Sequence, residues 1–319
     1  MRTLFHPAFL HGPTGDPGAW IDLPDEGRAV LLDLPSLAHL PSRKLLKVAH
    51  VVVTHTHMDH FIGFDHLLRV ALRREGPLAI TGPPGFRESV RGRVGAYAWN
   101  LIETYPVRLQ VQEVDCDRLR AEEYSGASRM RPVALPETPF AGTVHSERSF
   151  RVEVAMFDHG IPVLGVVLRE TRHLGVNKDL LVRRGLVPGA WLGELKDAIR
   201  GGAPNDTDGL IVEGPGQVVA YLTDLAGTDE NLARAEAFVR GADLLLCEAA
   251  FLDVDRARAL ERNHLTAVQA GALARRAGAK RLAVFHLSPR YDGREDELFR
   301  EAAEAFGAPL SRNELAAPL

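Results

Sequence analysis

One local pattern recurs along this chain and does more than any other feature to limit its fold. A short apolar run, of strand length, meets a polar residue and gives way to a stretch of helical periodicity. Residues 29–33 (AVLLD), 49–54 (AHVVVT), 78–81 (LAIT), 163–169, 218–222 (VVAYL), 243–248 (DLLLCE) and 281–286 (RLAVFH) read as strands. Helical periodicity follows at 61–74, where apolar residues fall at 61, 64, 67/68 and 71/72, and again at 85–100, 229–240, 266–277 and 295–306. This alternation predicts a mixed α/β domain with helices packed outside its sheets. Residues 107–114 and 150–156 alternate apolar and polar side chains, as half-exposed antiparallel strands do. The segment between them, through LPETPFAGT, is rich in turn residues and reads as loop. Thr228 before Asp229 and Glu230 is a helix-start signature. Residues 170–216 are polar and look like a small helical or looped excursion from one domain spanning 1–319.

Composition narrows the class. With 319 residues, 45% of them apolar and 25% charged, the chain is long enough to bury a full core without staples. Its two cysteines, Cys116 and Cys247, lie far apart and imply neither a disulfide framework nor a thiolate metal site. The net charge of −4 argues against a non-specific nucleic-acid binder. Basic clusters such as Arg69/Arg73/Arg74 and Arg87/Arg91/Arg93 read first as solvated helix faces. His-Pro and a Gly/Pro cluster interrupt the first residues, and no apolar run approaches membrane-span length. A cytoplasmic enzyme without a membrane partner is the expectation.

The chemistry concentrates at strand ends. AHVVVT runs straight into His55-Thr-His57-Met-Asp59-His60. Side chains two apart on an extended segment point the same way, so His55 and His57 converge on one cation. The turn into the following helix then offers Asp59 and His60 to a second. Imidazole and carboxylate ligands suit borderline divalent metals such as Zn²⁺, with Mn²⁺ and Fe²⁺ also accommodated. Asp224 and His286 are each the first polar group after a buried strand, the place where α/β proteins put their sites.

HTHMDH resembles the HxHxDH signature of the metallo-β-lactamase superfamily. Later blocks follow that superfamily's order. His159 in MFDHGIPVLGVVLRE resembles the His-Gly-Ile-Pro segment of the ribonuclease Z family of tRNA 3′-processing endonucleases, and Asp224 in VVAYLTD its bridging aspartate. His264 in NHLTAVQAG and His286 in RLAVFHLSPRY are similar to its last two motifs. The resemblance implies an αβ/βα four-layer sandwich, two mixed sheets face to face with helices outside. It implies one metal on His55, His57 and His159, a second on Asp59, His60 and His286, and Asp224 bridging both. It also implies that His264 meets the scissile phosphate or protonates the leaving oxygen, with Glu248 placed to orient and charge that imidazole. Asp59, His264 and Glu248 are therefore the expected catalytic set, and a homodimer the expected assembly. Two cations about 3.5–4 Å apart acidify a shared water that attacks phosphorus in line.

The upstream blocks differ. Where the family carries LGTGxxxP and a Gly-Glu-Gly run, this chain has FLHGPTGDPGAW and LDLPSLAHLPSRKLL, keeping Asp33 but not the glycines that let backbone approach substrate. Residues 174–202, with the turn GLVPG, occupy the place of the family's RNA-gripping arm. The reading is a dinuclear-metal hydrolase of a phosphodiester, RNA or a smaller one. A thioester, a lactone or another non-phosphate ester is the second reading, and a metal sensor without turnover the third.

Overall fold

The computed structural model describes residues 3–311 and Leu315. The terminal residues of the span 1–319, namely 1–2, 312–314 and 316–319, lie outside the described residues. The first sheet has eight strands in sequence order: β1 (His6–Phe9), β2 (Ala19–Leu23), β3 (Arg28–Leu32), β4 (Val48–Val52), β5 (Leu78–Gly82), β6 (Arg108–Asp115), β7 (Arg118–Ser125) and β8 (Val133–Pro139). After β9 (Thr143–Ser146), β10 (Phe150–Asp158) and β11 (Pro162–Glu170), the chain leaves to form a separate pair, β12 (His173–Val176) and β13 (Ile211–Gly214). It returns through β14 (Val218–Leu222), β15 (Leu244–Glu248) and β16 (Leu282–Phe285). The second sheet then reads β16-β15-β14-β11-β10-β9. Strands β3 to β6 run parallel, as do β14 to β16, and both sets adjoin antiparallel neighbours.

The all-apolar strands are explained by two buried faces. Val30 and Leu32 of β3 face the other sheet, meeting a layer that includes Val219 and Tyr221 of β14 and Leu244 and Leu246 of β15. Ala29 and Leu31 of the same β3 face outward, under helices α1 (Ser42–Leu45), α2 (Met58–Phe61), α3 (Phe64–Ala71) and α4 (Phe86–Gly95). The arm between β12 and β13 carries α5 (Lys178–Arg183) and α6 (Trp191–Arg200). On the far side, Ala220, Leu222, Leu245 and Cys247 pack beneath α7 (Asp229–Phe238), α8 (Arg256–Glu261), α9 (Ala267–Arg276) and α10 (Glu295–Phe306). The order is helix, sheet, sheet, helix. Strands buried on both faces need apolar side chains at every position, which is why they read as continuous runs.

Three readings of the sequence need correction. The looped segment around LPETPFAGT instead contains most of β8 and the start of β9, and β7 precedes it. These strands are polar because little of their surface is buried, β8 being exposed at all but one position. Arg–Glu pairs such as Arg108–Glu123 and Arg120–Glu137 lie across them, and apolar alternation has nothing to bury against. The helix expected at 61–74 is interrupted at Gly63, whose amide donates to the Leu34 carbonyl at 2.8 Å. A Cβ there would sit 2.0 Å from the Pro35 carbonyl oxygen, so only glycine allows that approach. The helix expected at 85–100 stops at Gly95. Helix starts were better marked: Thr228 caps α7 through the Asn231 amide, and Thr266 with Gln269 forms a reciprocal capping box on α9.

Candidate metal centre

The parallel strands of both sheets deliver their C-terminal ends to one edge of the sandwich. From the first sheet, the link after β4 supplies His55 and His57, and α2 supplies Asp59 and His60. From the second, His159 follows β10, Asp224 follows β14, Glu248 ends β15 and His286 follows β16. His264 stands in the turn between α8 and α9. All nine side chains singled out in the sequence meet there.

Asp224, almost wholly buried, is the hub. Its Oδ2 lies 3.7 Å from His55 Nε2, 3.4 Å from His60 Nε2 and 3.5 Å from His159 Nε2, and its Oδ1 lies 2.8 Å from His286 Nδ1. Asp59 Oδ2 stands 3.6 Å from both His60 Nε2 and His286 Nε2. The imidazoles close around this hub with ring centroids 4.1 Å apart for His55 and His60, and 4.4 Å for His55 and His57. Tetrahedral coordination at about 2.0–2.1 Å separates ligand atoms by roughly 3.4 Å. The donor spacing therefore matches cations seated between these atoms. His55, His57, His159 and Asp224 form one such set, and Asp59, His60 and His286 a second. His264 is also within reach, with Asp224 and His286.

Four of the rings are held by one nitrogen so that the other faces the hub. His60 Nδ1 donates to Asp33 Oδ2 at 3.0 Å, His55 Nδ1 to Thr54 Oγ1 at 3.2 Å and His159 Nδ1 to the Asn263 carbonyl at 2.7 Å. His264 Nδ1 donates to Glu248 Oε2 at 2.9 Å, while Glu248 Oε1 accepts from the Leu225 amide at 2.8 Å. Anchoring through the remote nitrogen fixes both tautomer and ring orientation for a metal ligand. The facing Nε2 atoms of His55 and His60 are buried and have no hydrogen-bond partner among the described residues. A buried nitrogen left so costs about 1–3 kcal/mol, which a bound cation would relieve. The residues fit a pair of divalent metals.

The electrostatics point the same way. Burial, reinforced by the neighbouring imidazoles, pushes His55 down to about 2, so it stays neutral and ready to coordinate. Burial also opposes charge on His60, but the Asp224 and Asp33 carboxylates outweigh it and raise that ring to about 10. His286 is likewise held well above its ordinary value, burial being overcome by Asp224. Burial would raise Asp224, yet His286 and His60 draw it well below the usual carboxylate range. Protons on these two imidazoles take the place of cations, and metal binding would release them.

Several supporting residues were not among the expected site residues. Asp33 is fully buried and accepts from the Thr54 amide, the Thr54 hydroxyl, His60 and the Tyr221 hydroxyl. Its signal was available: like Asp224 and Glu248, it is an acid ending an apolar strand. Asp33, Asn263 and His286 all have positive φ, at 60°, 58° and 57°. Strained backbone at three non-glycine positions around one centre is the usual mark of a functional site. A cleft of about 560 Å³ opens over the hub, lined by Thr14, Asp16, Arg258, Arg262 and Arg290 as well as the centre itself. None of these had been singled out.

The chain matches known proteins along most of its length. A family profile described as "Beta-lactamase superfamily domain" matches residues 194–287, the stretch holding Asp224, Glu248, His264 and His286. The fold resembles that of the metallo-β-lactamase fold protein YhfI from Bacillus subtilis, at a TM-score of 0.57 and 16% identity over 95% of this chain and 94% of that one. Human tRNase Z, short form, aligns at a TM-score of 0.55 and 19% identity over 90% of this chain and 92% of that one. Fold and centre together define a hydrolase of the metallo-β-lactamase class. Ribonuclease Z of Deinococcus radiodurans is 32% identical over 94% of this chain and 96% of its own length. The chain belongs to the ribonuclease Z family.

Proposed function

We propose that this protein is a two-metal phosphodiesterase acting on RNA, with precursor tRNA as the substrate its family membership favours. His55, His57 and His159 would hold one cation and Asp59, His60 and His286 the other, with Asp224 shared between them. Zn²⁺ suits this donor set best. When bound, such a pair supplies a water acidified toward neutrality and positive charge beside the phosphoryl oxygens.

One observation carries the choice of a phosphodiester: the His264–Glu248 pair stands beside the centre but is surplus to it. With Asp224 shared, each cation would have four protein donors without His264, which would leave that ring for the substrate. Its Nδ1–H donates to Glu248, so in the imidazolium form the second, transferable proton sits on Nε2. Burial works against charge on His264, and Glu248 reverses this and raises its pKa. The ring is thereby suited to donate a proton to a departing ribose oxygen, an alkoxide that leaves poorly without one. Thr54 and Asp33 keep His55 and His60 aimed, and Asn263 does the same for His159.

The whole chain serves as one domain in this reading, with the β12–β13 arm as an RNA-contacting excursion. A homodimer is part of it, supported by Met58 and Ile62, which lie four residues apart on one helical turn and are both exposed. Among the described residues no helix is long and apolar enough to cross a membrane. Both cysteines are free, which supports a reducing, cytoplasmic setting. The test is hydrolysis of bis-p-nitrophenyl phosphate with Zn²⁺ or Mn²⁺, beside a thioester and a lactone, followed by precursor tRNA carrying a 3′ trailer. Phosphodiester turnover with cleavage at the trailer is expected. Turnover of the thioester or lactone alone would overturn the proposal.

A further inference from the structure

The cleft over the metal centre is electrically lopsided. One wall is the loop carrying Thr14, Gly15 and Asp16. The other is helix α8, which presents Arg258 and, at its C-cap, Arg262. These two are four residues apart, so their side chains share one helix face. Nearby arginines are already neutralised: Arg256 pairs with Asp253 at 2.6 Å, Arg290 with Asp255 at 3.6 Å and Arg294 with Glu297 at 2.7 Å. Arg258 and Arg262 have no acidic partner among the described residues, and both are exposed to the cleft. An isolated pair of guanidinium groups beside a phosphodiester site is a ready receptor for a phosphate, because the planar fork donates two parallel hydrogen bonds to its oxygens.

The pair is also mechanically tied to the centre. Helix α8 passes directly into the turn that holds Asn263 and His264, with the His264 amide donating to the Ala259 carbonyl at 2.9 Å. The carbonyl of Asn263, in the same peptide unit as the His264 amide, anchors His159. The same turn therefore carries the α8 arginines, the proton-donating imidazole and the anchor of a metal-side one.

We propose that Arg258 and Arg262 clamp a backbone phosphate next to the scissile one, so that the polynucleotide runs along α8 and away from Asp16. This rests on the phosphodiesterase reading above, and it adds which wall of the cleft the chain follows. The two arginines bind and position; neither needs to touch the reacting atoms.

The test is a fluorescence-anisotropy titration of metal-loaded protein with a labelled single-stranded oligoribonucleotide, its phosphates replaced by phosphorothioates to slow cleavage, across a salt series. For Arg258→Ala or Arg262→Ala, the slope of log affinity against log salt should flatten by up to about 0.7, the value for the one phosphate the pair shares. Affinity should fall roughly tenfold each. Arg258→Lys and Arg262→Lys keep the charge and should keep the slope. Arg256→Ala, which removes a cation already paired outside the cleft, should bind as the parent does. Alanine variants with parental melting temperature, affinity and slope would overturn the clamp. So would lysine variants that flatten the slope as much as alanine. The two readings fail separately: loss of the clamp leaves bis-p-nitrophenyl phosphate hydrolysis by the parent protein untouched as evidence. Arginine-dependent RNA binding without phosphodiester turnover would keep the clamp and sink the enzyme.

Discussion

Two groups of buried imidazoles in this molecule share a residue type and differ in fate. His50, on β4, is fully buried against His145, their rings stacked at 4.8 Å, and its Nε2 lies 3.2 Å from the Thr81 hydroxyl. A few residues further along the same chain, His55 and His60 are equally buried around Asp224. Desolvation acts on all three. Around His50 it prevails, aided by His145, and pushes the ring down to about 3. Around His55 it prevails as well, and around His60 two carboxylates overcome it. Burial alone makes a histidine a neutral packing residue, whereas burial beside shared carboxylates makes it a place for a cation.

The largest break in that contrast is removal of the hub. Asp224→Ala should abolish metal-dependent phosphodiester hydrolysis, a loss of about 10³-fold or more, because one carboxylate serves both sites. Elemental analysis should show both metals depleted. Near-parental turnover with full metal content would disprove the role given to Asp224. Next comes His264→Ala, expected to slow cleavage of RNA by about 10²–10⁴-fold. The loss should be much smaller on bis-p-nitrophenyl phosphate, whose leaving group departs without a proton. Equal losses on both substrates would rule out proton donation.

Asp33→Asn tests the support beneath the hub. Metal affinity should weaken by about 10–100-fold, since His60 loses the carboxylate that orients it. A competition titration with a chelator reads this directly, and unchanged affinity would leave Asp33 a packing residue.

The smallest effect belongs to the other imidazole group. The folded-state pKa of His50 lies below its ordinary value of 6.5, so the unfolded chain binds a proton that the native one excludes. Its contribution is fully present above that ordinary value and is lost as pH falls toward about 3. In His50→Phe, thermal stability should decline less steeply between about pH 6.5 and pH 4, the difference reaching at most about 3 kcal/mol. Metal content should not change. Parallel stability curves would show that His50 is not the group whose protonation counts.

The sequence told these two groups apart only in part. HTHMDH was legible because four donors in six residues exceed anything packing requires, and the family resemblance supplied His159 and His264. Asp224, Glu248 and His286 were legible as polar residues ending apolar strands. Asp33 had the same signature but stood in an upstream block that has lost its glycines, and its four donors come from Thr54 after β4, His60 of α2 and Tyr221 of β14, segments far apart in the chain. Nothing local distinguishes it from a strand-terminal acid facing water. The arginines of α8 were hidden for a related reason: Arg256, Arg258 and Arg262 look alike in sequence, and only the fold shows which have an acid beside them.

The sequence by itself determined the alternation of buried strands and amphipathic helices and most of the candidate donor set. Apolar periodicity dictates which faces must be buried, and imidazole and carboxylate chemistry dictates what such a cluster can hold. The tertiary structure alone decided which side chains share a site and which way they point. It set the strand ends of two sheets against each other, broke the first helix at Gly63 and left two guanidinium groups unpaired on one wall of the cleft. Pattern along a chain records each residue's own burial and chemistry. Which carboxylate stands within a few ångströms of a given imidazole or arginine is a property of the packed molecule.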